Sequence, residues 1–230
     1  MSKKTWIIFA VICAVVLGGL IVLSQKDKVN VASVDQSQLQ VAAPANGNIA
    51  DHVTDLAKSK VTLIEYGDFQ CPYCGQAYPA VKKITTDYAS KITFVFRNYP
   101  LSTLHPNAKA AAAAAEAAGL QGKYWEMHDQ LYLSQNEWST LSTDDRTNKF
   151  TDYAKALGIK DLSKFKTDMA ADNVNKKIDF DLALGNKFGV TGTPTFELNG
   201  TKVSDDVASS VISTGSDGAA MRSAIDTLLK

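Results

Sequence analysis

From Trp6 to Leu23 the chain carries no charge and almost no polar group. An apolar run of this length is just enough to cross a bilayer as a helix. Lys3 and Lys4 precede it, and Lys26 and Lys28 come after it, offset by Asp27. That bias puts the N-terminus (residues 1–5) in the cytoplasm and the rest of the chain outside. An uncleaved transmembrane signal anchor over 6–23 fits the length best, because a signal-peptide core is usually about 7–15 residues. A cleaved signal peptide is the alternative, with Val22-Leu23-Ser24 as a mediocre cleavage site. A lipoprotein built on Cys13 is disfavoured by the bulky Ile12 before it. All three readings export the C-terminal part of the chain to an oxidising compartment. Residues 24–50 are polar and without periodicity, the pattern of a flexible linker. The folded domain is expected over 51–230.

Within that domain Val61 to Tyr66 reads as a buried strand. A loop, Gly67 to Gln70, comes next. Pro72 opens a helix to about Tyr88, with Ala77, Val81 and Ile84 on one face, and its missing N–H costs nothing in the first turn. Ile92 to Phe96 is a second apolar strand, so residues 61–96 form the parallel crossover unit of an α/β fold. Residues 106–188 then read as helix after helix. Ala108 to Ala118 is nearly pure alanine, the best helix former. An aromatic-rich helix carries Tyr124 to Tyr132. Another carries Phe150, Tyr153, Ala154 and Leu157, with Gly158 as its C-terminal stop. A later one shows Val174, Ile178, Leu182 and Gly185 on one face. Thr195 to Leu198 is a strand, Asn199-Gly200 a hairpin turn, and Thr201 to Val203 the returning strand. Asn199-Gly200-Thr201 also matches a glycosylation acceptor, but the turn is the simpler account. Residues 218–229 close with an amphipathic helix whose inward residues are Met221, Ile225, Leu228 and Leu229.

Charge removes some function classes. The chain has 230 residues with 24 Lys+Arg and 24 Asp+Glu, so no basic surplus exists to neutralise a phosphate backbone and nucleic-acid binding is not expected. Four lysines and two aspartates fall in residues 1–50, which leaves the exported part mildly acidic. An apolar content of 45% excludes wholesale disorder. Three cysteines are too few for a disulfide-dense scaffold or a four-thiolate zinc site, and one must lie outside any internal pair.

Cys71-Pro72-Tyr73-Cys74 is a C-x-x-C motif between a strand and a helix. A thiol just before the first helical turn faces unsatisfied N–H groups and the positive end of the helix dipole, and both favour thiolate. Cysteines so placed have pKa values of roughly 3.5–7.5, against about 8.5 unperturbed. Stabilising the thiolate stabilises the reduced pair and makes its disulfide a stronger oxidant. Cys71 is expected to be exposed and to be the attacked sulfur, with Cys74 buried as the resolving thiol. Half of a metal site and a static disulfide are the alternatives. The former lacks ligands, since the chain has only three histidines, and the latter closes too short a loop to stabilise much.

Far downstream, Val190-Thr191-Gly192-Thr193-Pro194-Thr195-Phe196 puts a proline directly before a strand. Taken with an upstream strand, C-x-x-C and helix, this points to the thioredoxin superfamily. The run Ile64-Glu65-Tyr66-Gly67-Asp68-Phe69-Gln70-Cys71-Pro72-Tyr73-Cys74 resembles the bacterial DsbA-like thiol:disulfide oxidoreductases, in particular the membrane-tethered Gram-positive branch. The resemblance covers about residues 51–230. It implies a thioredoxin-like α/β fold with a helical insertion, about 103–172, between the βαβ half and the cis-Pro ββα half. It also implies oxidation of reduced or unfolded exported proteins without a cofactor, and regeneration by a membrane quinone-linked redox partner.

The resemblance further singles out Glu65, six positions before Cys71, where the family carries a buried acid. Such a carboxylate would have a raised pKa and could take the proton from Cys74; the alternative is a strand-end Glu turned to solvent. By the same resemblance Thr193 and Pro194 form a cis-proline loop against the disulfide that pairs with an extended substrate chain. Well-known oxidases of the family carry Val where this chain has Thr193, so a hydroxyl beside the sulfur could alter the redox poise. Pro72 and Tyr73 tune the motif. Phe69 and Tyr73 are candidates for an apolar rim that holds substrate, or are ordinary packing aromatics. Rival readings are a reductase or isomerase of the same fold, a metal-delivery protein, and a non-catalytic peptide-binding or chaperone module.

Overall fold

Residues 61 to 67 alternate their side chains across a pleat, and every other strand takes its place from this one. The computed structural model describes residues 3–26, 29–54, 59–213 and 215–230, with the side chains of 3–5, 17 and 19–26 outside the description. The chain divides into two units, residues 1–30 and 31–230. The first is a helix, α1 (Lys3–Lys26), whose described apolar side chains from Trp6 to Val16 are largely exposed. Among the described residues, no helix is long and apolar enough to cross a membrane, so they lend the expected anchor no support.

The second unit is mixed α/β. Its strands are β1 (His52–Val53), β2 (Val61–Gly67), β3 (Ile92–Asn98), β4 (Thr195–Leu198) and β5 (Thr201–Lys202), in the order β1-β3-β2-β4-β5. β2 and β3 are parallel, joined by helix α2 (Pro72–Asp87) as the crossover; the other pairs are antiparallel. Between β3 and β4 run α3 (Ala108–Gly119), α4 (Tyr124–Leu133), α5 (Gln135–Trp138), α6 (Thr143–Ala156), α7 (Leu162–Met169) and α8 (Asp172–Phe188). Helices α9 (Asp205–Ile212) and α10 (Ala219–Leu229) end the chain. The α/β reading and the helical insertion are therefore found as expected. Gly158 comes after α6 at φ +76°, the left-handed stop that its place in the pattern predicted. At Gly185 a Cβ would lie 2.5 Å from the Tyr99 ring, so that face of α8 needs glycine to approach.

Register assigns the two faces of the sheet. Glu65 lies opposite Phe96 and Phe196, and this face carries Leu63 and Phe94 as well. Helices α2 and α4 cover it, through ring contacts such as Phe96 with His128 at 4.7 Å and Phe94 with Trp125 at 5.6 Å. Tyr66 lies opposite Arg97 and Thr195 on the other face, where Phe188 of α8 stacks on it at 5.7 Å.

That second face holds a buried charge cluster. Arg97 bonds Asp51 at 2.7 Å, and Lys177 bonds Asp51 at 3.0 Å and Asp181 at 2.7 Å, all four side chains within 1% of full burial. Glu116 joins through Asn98 at 2.7 Å and His52 at 2.8 Å. Burial alone would push the Asp51 carboxyl up, but Lys177 and Arg97 together hold it well below the usual range. Asp181 is pushed up by burial, with Asp51 and Glu116 crowding the same ammonium.

The cluster explains a departure from expectation. Residues 31–50, read as part of a flexible linker, belong to the compact unit. Arg97 donates to the carbonyls of Gln36 and Gln38, and Lys187 donates to those of Val31, Ala32 and Val34. Cations far along the chain bind this segment by its backbone, so its polar side chains carry no sign of it. Two smaller corrections concern helix faces. In α8 the inward leucine is Leu184, with Leu182 only half-buried. In α10 Leu228 and Leu229 are exposed, because only Met221 and Ile225 fall on the face that meets the core. β5 stops at Lys202, although the Val203 N–H still bonds Phe196 O.

Candidate active site

Cys71 caps α2. Its backbone is extended (φ −67°, ψ 123°), Pro72 takes the first helical position, and its own carbonyl accepts from Gly75 N–H. The loop before it is tied down from three directions. The buried Asp68 carboxylate accepts from the N–H groups of Gln70 and Leu101 and meets His105 Nδ1 at 2.7 Å. Gln70 bridges to Ser139 O and Asn107 N–H. Gln135 of α5 donates to both Phe69 O at 2.7 Å and Cys71 O at 2.9 Å. The helical insertion thus clamps the segment that carries the cysteines.

The antiparallel pairing of β2 with β4 sets Thr195 opposite Tyr66, which brings the loop before β4 against the start of α2. The Thr193–Pro194 peptide in that loop is cis. Cys71 Sγ donates to Thr193 O at 3.3 Å across 122 residues of chain. That acceptor is the backbone carbonyl; the Thr193 hydroxyl is buried and has no hydrogen-bond partner among the described residues. Cys71 and Cys74 are both thiols here.

The two thiols differ sharply. The Cys71 pKa falls to about 6, first because Cys74 donates to it, then, against the cost of burial, through Thr193 and the N–H groups of Cys74 and Tyr73. Burial, then Cys71, pushes Cys74 well above the usual range. Glu65 is buried on the same side, and burial, then the neighbouring Cys71, raises its carboxyl to about 8. It is not a strand-end residue turned to solvent.

Two expectations are corrected. Cys71 is only 4% exposed, because the loop of Thr193 and Pro194 lies over its sulfur; the motif residues that reach solvent are Pro72 and Tyr73, the latter at 60%. Phe69 forms no rim. It is 1% exposed and packs against Phe96, Tyr132 and His128 at 4.9, 5.1 and 5.4 Å. Beside the cysteines runs an open groove of about 780 Å³ lined by Tyr73, Gln76, Thr193, Pro194, Lys202 and Ser209 among others. Sequence reasoning missed Asp68, Gln135 and His128, whose neighbourhoods only the fold assembles. It also missed Glu197, a buried acid on the opposite face whose carboxyl burial raises to about 7. The alternation of β4, with apolar Phe196 and Leu198 on one side, was the one signal for it. Among the described residues no cluster of three His, Cys, Asp or Glu could hold a metal ion.

A parallel βαβ unit, a dithiol at the start of its helix and a cis-proline loop over the first sulfur define a thioredoxin-fold protein. The comparisons agree. The thioredoxin family model matches residues 48–215, and the chain belongs to that family. A thioredoxin-like oxidoreductase from Silicibacter pomeroyi is 27% identical, with a TM-score of 0.60 over 77% of this chain and 91% of that one. Alpha-DsbA1 from Wolbachia pipientis shares the fold at 22% identity and a TM-score of 0.62, over 78% of this chain and 90% of that one. The DsbA-like form of the fold is thus the one found. A Na(+)/H(+) antiporter NhaA 1 of Salinispora arenicola is 43% identical over 152 residues, 66% of this chain; the chain spans only 22% of that protein's length.

Proposed function

We propose that this protein is an extracytoplasmic thiol:disulfide oxidoreductase acting as a dithiol oxidase on exported polypeptides. The observation that carries the reading is the split between the two thiols, Cys71 down to about 6 and Cys74 well up. A stabilised Cys71 thiolate favours the reduced pair, so the Cys71–Cys74 disulfide gives up its bond readily to a substrate.

In the cycle a substrate thiolate attacks Cys71 Sγ. The Cys71–Cys74 bond breaks, and the Cys74 thiolate leaves and takes a proton from Glu65. A second substrate thiolate attacks the substrate sulfur of the mixed disulfide, which closes the substrate disulfide and expels the Cys71 thiolate. Two electrons have passed to the enzyme. A membrane quinone-linked partner would remove them, with Glu65 accepting the Cys74 proton on the way back. The groove beside Tyr73 and the edge of the loop at Thr193 and Pro194 would hold the substrate chain. The membrane tether in this reading rests on the sequence alone, on the apolar run 6–23 between lysine pairs.

The reduction potential against glutathione tests the direction. A value near or above roughly −150 mV supports an oxidase, and one near the thioredoxin value of about −270 mV overturns it in favour of a reductase. Cys74→Ser should accumulate mixed disulfides with exported proteins through Cys71, and their absence would count against exchange altogether.

A further inference from the structure

Gly75 lies inside α2, one residue past Cys74, and its φ is not left-handed. Glycine there costs helix stability, because it gives up more backbone freedom on folding than alanine does. No turn demands it. Its space is taken by a side chain from the helical insertion. A Cβ at Gly75 would lie 2.6 Å from Gln135 Oε1, 3.1 Å from its Cδ and 3.2 Å from its Nε2. Gln135 could swing aside only by giving up the bonds that its amide donates, to Phe69 O at 2.7 Å and to Cys71 O at 2.9 Å.

Those two bonds use both hydrogens of the amide. Both acceptors belong to the turn that carries the redox sulfur, and covalent geometry keeps the Cys71 carbonyl within a few ångströms of its own Sγ. A bare carbonyl oxygen so close is the negative end of a dipole and opposes a thiolate. A donor on that oxygen weakens its field. The same carbonyl accepts from Gly75 N–H, so Gln135 also fixes the start of the helix whose Tyr73 and Cys74 N–H groups reach the sulfur. The base of Gln135 is rigid. α5 ends in Trp138, which is fully buried, packs on Phe150 at 5.4 Å and donates through Nε1 to Leu131 O. Behind it Asn107 donates to Trp138 O, Ser139 O and Leu141 O.

We infer that Gln135 is a positioning residue of the redox site: its amide, admitted by Gly75, caps the Phe69 and Cys71 carbonyls and holds the first turn of α2 in the arrangement that favours the Cys71 thiolate. Gln135 touches no reacting atom. It acts through the backbone, and it makes the helical insertion part of what sets the redox poise. Gly75 has a matching role, since any larger residue would unseat the amide. The titratable groups beside Cys71 are Cys74, Glu65 and Asp68, and they stay in place when either residue is changed. The role of Gln135 rests on the proposed exchange at Cys71, and the two fail by different results.

The test titrates the Cys71 thiolate by its absorbance in the reduced full-length protein and measures the equilibrium with glutathione. Gln135→Met keeps the length of the side chain and removes its donors. It should raise the thiolate midpoint by about one pH unit, the size of a lost hydrogen bond. The glutathione equilibrium should move about tenfold toward the oxidised protein, which is roughly 30 mV. Gly75→Ala should raise the midpoint in the same direction by a smaller amount, and the double variant should match Gln135→Met alone. A merely structural role would lower the melting temperatures of the oxidised and reduced forms equally and leave the midpoint at its wild-type value, and that result would overturn the inference. Additive shifts in the double variant would also overturn it, because Gly75 would then act apart from Gln135. Gly75→Ala serves by itself if Gln135→Met does not fold. Wild-type protein that fails to exchange with glutathione at all would instead overturn the reading of Cys71 and Cys74 as a redox pair.

Discussion

Glu65 and Tyr66 are neighbours in β2, yet strand alternation sends them to opposite faces of one sheet, where Glu65 and Asp51 meet buried charge in opposite surroundings. On the Tyr66 face Arg97 and Lys177 neutralise Asp51 and Asp181 at 2.7–3.0 Å, and Asp51 is held ionised by its cations. On the Glu65 face no cation stands beside the carboxyl among the described residues. Burial raises Glu65 to about 8, while hydrogen bonds, that from Cys74 first, bring Cys71 down to about 6 against the cost of burial. A carboxylate held between two cations, as Asp51 is, stays ionised and holds structure together. One that burial dominates, as at Glu65 and at Glu197 across the sheet, sits near neutral pH, where a proton can move at little cost. The same sheet thus carries a cation-bound cluster on one face and the candidate redox site on the other.

Four measurements probe that contrast between the faces. The largest effect should come from Lys177→Met, which leaves Asp51 and Asp181 facing each other without their ammonium. Breaking a buried pair costs about 3–5 kcal/mol, read as lost stability in a denaturant melt, while exchange per folded molecule stays the same. A loss under about 1 kcal/mol, within the range of surface ion pairs, would mean the cluster is not a scaffold.

Glu65→Gln should move stability the other way. The folded carboxyl keeps its proton up to about pH 8, whereas the unfolded one loses it above about 4.5. Native protein therefore loses stability as pH rises between those values. Removing the group should recover on the order of 3 kcal/mol at pH 7 and nothing below pH 4.5. A pH-independent effect would show that Glu65 is not held protonated.

The third concerns Cys71, whose folded pKa of about 6 lies below the ordinary 9. Between those values the reduced native state binds fewer protons than the unfolded one, so its stability rises with pH and is lost as pH falls through 6. The oxidised protein has no such group. The gap between reduced and oxidised melting temperatures should shift in favour of the reduced form from pH 6 to 9. A flat gap would refute the stabilised thiolate. The smallest effect should come from Thr193→Val, which should raise the thiolate absorbance midpoint above 6, by less than Cys74→Ala does, because Cys74 is the stronger donor to Cys71. The reverse order would make the cis-proline loop the main tuning element.

Much of the reaction centre was legible along the chain because its parts are local. Strand period, a helix-opening proline and the C-x-x-C spacing locate Cys71 and Cys74, and the alternation of β2 separates Glu65 from Tyr66. Phe69 shows the limit. An aromatic beside a reactive cysteine reads equally as rim or core, and only the rings of Phe96, His128 and Tyr132 decide for core. Exposure of Cys71 failed for a similar reason, since its cover comes from 122 residues away.

The elements, the redox pair and the order of strand, helix and proline loop are written in the linear chain, because side-chain periodicity and backbone propensity act within a few residues. Which charges meet is settled only by folding. Lys177 finds Asp51 across 126 positions, and Gln135 finds Cys71 O across 64. His128 and Asp129 reach Glu65 only because α4 folds over that face of the sheet. Electrostatics depends on distance in space and on exclusion of water, and a linear pattern records neither.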